Sequence, residues 1–187
     1  MSLVSTDPNR ILVRKPTAAP STEPAAPTYT VDGGIKGRRV GFRTDSAWRS
    51  WSLIAEVWNR YLQRDGATTD TYETHGMIGD TGATDRAQID KLAETVDLAI
   101  VGLGTCGSCT SFTIADSVAF EDHEKPVIAI VTEEFATHGH NVANHLGHGD
   151  LKVLVLPYPL EALPKDELLQ IADDFYPKAL ELLGVTQ

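Results

Sequence analysis

The chain's two cysteines, Cys106 and Cys109, stand within GLGTCGSCTSFT at residues 102–113, among glycines and hydroxyls. A Cys-x-x-Cys pair can cycle between dithiol and disulfide, or its first sulfur can act alone as nucleophile or base. Both uses need the thiolate. If this turn opens a helix, unpaired first-turn N–H groups and the positive end of the helix dipole favour ionisation. Such cysteines have pKa values lowered to about 3.5–7.5. Gly104 and Gly107 let a backbone approach a ligand closely, and successive N–H groups over residues 105–108 can cradle an anion. Thr105, Gly107, Ser108 and Thr110 are therefore candidate substrate contacts, and Ser111 and Thr113 add further hydroxyls. Gly, Ser and Thr neighbours argue against two thiols used as core filler. No third cysteine exists to complete a thiolate zinc site.

Other groups could join them. THGHNVANHLGHGD holds His138, His140, His145 and His148, four of the six histidines. On a helix, His138, His145 and His148 would share a face and could hold a transition metal. The alternatives are a solvated polar face, or His138 alone serving Cys106 as acid and base. Glu134, one turn before His138, is a candidate general base, with Glu133 as its capping neighbour. Asp45 and Ser46 can cap the helix after the first strand, Asp45 also facing substrate, while Arg49 can bind a carboxylate. Tyr158, between two prolines, would close the rim. DTGATD at residues 80–85 lacks the Gly-Lys-Ser/Thr of a phosphate loop, and no GxGxxG is present.

These groups need a frame. Apolar spacing predicts a helix over 48–66 through Trp48, Trp51, Ile54, Ala55, Trp58 and Leu62. Further helices are expected at 84–96, with Thr84 or Asp85 as cap, at 108–123, at 134–149 with a break at Gly139, and at 164–184 with a kink at Pro177. Strands are expected at 38–45, 70–75, 96–104, 126–133 and 151–159. The near-continuous apolar runs at 96–101, 127–131 and 151–156 suit strands covered on both faces. Alternation implies right-handed βαβ units, hence a flavodoxin-like, doubly wound, five-stranded parallel sheet of order 2-1-3-4-5. Ligands then bind at the carboxyl ends of the first and third strands, where GTCGSCTS falls.

Residues 1–35 read as an extended arm before a domain at 36–187. PTAAPSTEPAAPT cannot bury much apolar surface. The apolar tag at residues 11–13 could anchor the arm on a neighbouring subunit, making a homo- or hetero-oligomer. The net charge of −10, without a basic run, argues against nucleic acid. No apolar window suits a membrane span and MSLVSTDPNR has no signal core, so the expectation is a cytoplasmic protein acting on a small molecule.

At Cys106-Gly107-Ser108-Cys109 the chain resembles the UGSC family, named for selenocysteine-Gly-Ser-Cys, in its cysteine form. The flanking VGLG and TSFTIAD and the strand-TEEF segment at 126–135 share the likeness, which spans roughly 36–160. The resemblance implies that Cys106 stands at the selenocysteine position and Cys109 at the resolving one. A looser likeness links the chain to aspartate/glutamate racemases, which move protons with a cysteine in a comparable turn. Three functions are expected from this reading. The first is a thiol-dependent oxidoreductase or transferase, with reductive or sulfur-transfer chemistry on a small anion. The second is a non-redox lyase, hydratase or isomerase. The third is one subunit of an enzyme whose site a partner completes. No cofactor is assigned beyond a metal at the histidines.

Overall fold

The three apolar runs become β3 (Leu98–Gly104), β4 (Val127–Thr132) and β5 (Lys152–Leu156) in the computed structural model, which describes residues 29–185. Every residue of β3 and β4 is buried, as their composition requires. β1 (Arg39–Asp45) and the polar edge strand β2 (Thr68–Thr74) complete one parallel sheet of order 2-1-3-4-5. The expected flavodoxin-like architecture is thus the observed one.

Five helices cover the sheet: α1 (Arg49–Arg64), α2 (Gly79–Thr95), α3 (Gly107–Asp122), α4 (Ala136–Leu146) and α5 (Lys165–Leu182). α1 and α5 enclose one core, built on Phe42, Trp51, Trp58 and Leu103. The Trp58 indole N–H donates to the Ala172 carbonyl at 2.8 Å, locking these two helices together. The opposite face holds a second core with Ile89, Val101, Ile114, Phe120 and Val131, under α2, α3 and α4. Among the described residues no helix is long and apolar enough to cross a membrane.

Several boundaries differ from expectation, each for a local reason. α2 starts at Gly79 rather than at Thr84, after an Ile78 that supplies no side-chain cap. Thr84 instead donates to the Asp80 carbonyl, and Asp85 lies buried inside the helix. α1 follows Trp48, so neither Asp45 nor Ser46 caps it. The Glu161 carboxylate, from the turn after β5, accepts the Ser50 N–H at 2.9 Å and fills that place. Gly139 does not break α4: it is buried against Val131, Ile114 and Thr110, which a Cβ there would meet at an ordinary 3.5–3.6 Å, so packing on α3 and β4 holds the helix through it. α5 continues through Pro177.

The body also begins earlier than residue 36. Val31 and Ile35 are buried, and Val31 bridges Val185 and donates its N–H to the Gly184 carbonyl at 2.8 Å. The expected anchor at residues 11–13 lies outside the described residues.

Gly102 is the tightest point of the sheet against α1. A Cβ there would lie 2.7–3.1 Å from the Trp51 ring, itself fully buried. Gly102→Ala should cost roughly 2–3 kcal/mol by overpacking and lower the thermal midpoint by several degrees in calorimetry. An unchanged midpoint would mean that Trp51 has room to yield.

Candidate active site

The sheet's order reverses between β1 and β3, and their carboxyl ends open a crevice. β3 delivers Thr105 and Cys106 to its floor. Cys106 is the N-cap of α3, with φ −148° and ψ 169°, and its Sγ accepts the Cys109 N–H at 3.1 Å. Sulfur here takes the place of the usual Ser or Asp oxygen. The two cysteines are joined as a disulfide, with their Cα atoms 5.1 Å apart. They differ in access: Cys109 is buried, with 6% exposed, whereas Cys106 is half-buried at the surface of the crevice. A reagent in solvent therefore meets Cys106 first.

The neighbours fall into two groups. Ser108 is exposed with its Oγ 3.5 Å from Cys106 Sγ, and Gly107 is exposed with open space where a Cβ would project. The N–H groups of Gly107 and Ser108, in the first turn of α3, have no acceptor among the described residues. Thr105 accepts a hydrogen bond from Thr132 at 3.2 Å, tying the floor to β4. Thr110, expected at the substrate, is fully buried and donates its hydroxyl to the Cys106 carbonyl at 2.7 Å, so it supports the cap from beneath.

His138 lies beside this turn. Its Nε2 is 3.1 Å from the Gly107 carbonyl and 3.0 Å from Ser111 Oγ, and the Ser111 hydroxyl donates to the same carbonyl. A carbonyl only accepts, so Nε2 carries a proton. The imidazole is thus bonded to the residue after Cys106, with no bond to the sulfur. Glu133 and Glu134 are exposed in the 3-10 turn Glu133–Phe135, and among the described residues their carboxylates form no hydrogen bond or ion pair with Cys106 or His138. Tyr158 is exposed and meets the Phe135 ring edge-on, centroids 6.3 Å apart, as an aromatic rim. Arg49 is exposed at the first position of α1 and has no partner among the described residues.

The histidines disperse. His145 is exposed on α4, whereas His148 lies past the helix end with Nδ1 2.7 Å from Glu121 and Nε2 3.4 Å from Asp122. They do not converge with His138. Among the described residues, no three His, Cys, Asp or Glu side chains are placed to hold a metal ion.

Asp45 is no substrate contact either, because it belongs to a buried charge cluster that sequence reasoning missed. Arg43, 2% exposed, projects from β1. Its Nη1 donates to the Gly102 carbonyl at 2.9 Å and lies 3.3 Å from Asp45 Oδ2, and its Nε lies 2.7 Å from Asp116 Oδ2 on α3. One guanidinium thus ties β1, β3 and α3 together. Its only sequence signal is a charge inside a strand and an aspartate inside TSFTIADSVAF, an otherwise apolar or small stretch.

Burial pushes the Asp45 and Asp116 carboxyls above the usual range, with Arg43 opposing it. A carboxyl whose folded-state pKa is raised stabilises the fold below its unfolded pKa of about 4 and loses that contribution as pH rises through the folded value. Asp116→Asn cannot ionise. Its unfolding free energy relative to the native chain should therefore shift in the variant's favour as pH rises from about 4. Urea titrations across this range check it; a flat difference would show that Arg43 fully compensates Asp116.

The model of the UGSC family matches residues 12–185, starting within the apolar tag and reaching well beyond the motif. No curated protein matches the chain. Among solved structures it is similar to diflavin flavoprotein A3 from Nostoc sp., with 9% identity, 79% of this chain and 94% of that chain covered, and a TM-score of 0.48.

Proposed function

The chain belongs to the UGSC family, and from that premise we propose that it is a thiol-dependent enzyme that reduces a small anionic substrate through the Cys106–Cys109 pair. The observation carrying this reading is the cap itself: a half-buried sulfur that accepts a backbone N–H at the start of α3, with a buried cysteine in bonding reach.

In the reduced protein the Cys106 thiolate attacks the electrophilic sulfur of a substrate R–S–X. A Cys106–S–S–R bond forms, and X departs with its electron pair. Cys109 then gives up its proton and attacks Cys106 Sγ. The mixed disulfide breaks, R–S⁻ leaves, and two electrons have passed from protein to substrate. A dithiol reductant from solution resets the pair. The unpaired N–H groups of Gly107 and Ser108 favour an anion beside the sulfur.

The test uses glutathione disulfide as substrate surrogate. The reduced Cys109→Ser chain should retain one glutathione on Cys106 by mass spectrometry, because nothing resolves it. The native chain should release glutathione and become the internal disulfide, and Cys106→Ser should form no persistent adduct. An adduct that accumulates equally on native protein and Cys109→Ser would remove Cys109 from the cycle and leave a non-redox use of Cys106.

A further inference from the structure

A cavity of about 240 Å³ lies between α2 and α3, under the β2–α2 loop. Met77, Ile89, Phe112 and Ala119 give it apolar walls, and Arg43 and Asp116 lie at its polar end. Its space equals that of roughly eight waters in the liquid, enough for a ligand of about eight to ten non-hydrogen atoms. It sits along α3 away from the sulfur: Phe112 and Asp116 are six and ten residues beyond Cys106, about 9 and 15 Å along a helix axis.

The charges around it do not balance. Among the described residues the buried charged residues are Arg43, Asp45, Asp85 and Asp116, one cation against three carboxylates, all at the cavity or in direct contact with its lining. Asp85 is satisfied as an acceptor, taking the Tyr72 hydroxyl at 2.6 Å and the N–H groups of His75 and Gly76 at 2.8 Å. Asp45 receives the Ala47 N–H at 3.0 Å and Arg43. Asp116, 8% exposed, has only Oδ2 engaged, by Arg43 at 2.7 Å; Oδ1 has no partner among the described residues. At the mouth stand exposed Arg86, which draws the Asp116 carboxyl down more weakly than Arg43 does, and exposed Asp90, which offsets its charge. An oxygen of a largely buried carboxylate that opens on the cavity can take a charge-assisted hydrogen bond from a ligand's cationic donor.

We propose that this cavity binds a small organic cation, a protonated amine on a compact apolar body, with the ammonium on Asp116 and the body against Phe112, Ile89 and Ala119. The site stands apart from the thiol chemistry and does not depend on it.

Benzylamine, benzyl alcohol and benzoate are matched probes for calorimetric titration of the full chain. Benzylamine should bind at one equivalent, at least tenfold more tightly than benzyl alcohol, and benzoate more weakly still. Asp116→Asn should lose at least tenfold in benzylamine affinity. Ala119→Leu, which fills the cavity from a partly exposed position, should lose binding while keeping the native circular dichroism, and it decides the matter if Asp116→Asn does not fold. Cys106→Ser should bind benzylamine unchanged, which separates this site from the sulfur. Equal affinities for amine and alcohol, tighter binding of benzoate, or undiminished binding in folded Ala119→Leu would each overturn the proposal.

Discussion

Alkylation of reduced protein by iodoacetamide should modify Cys106 far faster than Cys109, with a pH midpoint well below the roughly 8.5 of an ordinary thiol. The shift follows from two sources. A hydrogen bond from a backbone N–H to an ionised group contributes roughly 1.5–3 kcal/mol, and the helix dipole adds about 0.3–1. The Cys109 donor is its backbone N–H, so Cys109→Ser should keep the low midpoint even though it loses the disulfide. Peptide mapping of the alkylated cysteines over a pH series reads both statements. A midpoint at or above 8 for Cys106 would show that the N-cap contact does not survive reduction, and the nucleophile assignment would go with it.

Arg43→Met should be the most damaging single change in the charge cluster, at about 3–5 kcal/mol near neutrality, because it leaves Asp45 and Asp116 buried without their cation. The loss should shrink toward about pH 4, where both raised carboxyls take up protons and the uncompensated charge disappears. Arg43→Lys should recover only part of it, since one ammonium cannot span Asp45, Asp116 and the Gly102 carbonyl as a planar fork does. Denaturant unfolding of both variants at neutral and acid pH measures the effect. An equal loss at both would assign the damage to packing instead of charge.

Much of the frame was legible because β3, β4 and β5 announce themselves as runs with no polar face. The intervening helices showed the apolar stripes that a two-sided sheet needs. The start of α2 was not: Gly79, Asp80, Thr81 and Gly82 are weak helix formers, and the helix is held there by the Asp85 carboxylate gripping the preceding loop. Gly139 misled for a related reason, since packing against Val131 and Ile114 overrides its low helix propensity.

At the site, the cysteine pair, its helix cap and the small residues around it could be read directly, because spacing and composition both bear on one turn. Thr110 and Asp45 could not be separated from the exposed Ser108 by residue type; only depth distinguishes them. The Arg43–Asp116 tie spans β1 and α3, and neither residue carries a periodic signal. The dispersal of His138, His145 and His148 depends on Gly147 ending α4 in a left-handed conformation, φ 90°, which turns His148 toward Glu121.

Glu161 seated on the first helix has a consequence for inhibition. A sheet of this winding offers negatively charged guests two berths at its reversal, and the chain's own carboxylate already moors in one of them. Phosphate-like and carboxylate-like inhibitors are left with the berth at the sulfur. Their kinetic signature should be purely competitive, each one also shielding Cys106 from alkylation in proportion to its occupancy, and Glu161→Ala, which removes the acceptor, should add a second, non-protecting mode.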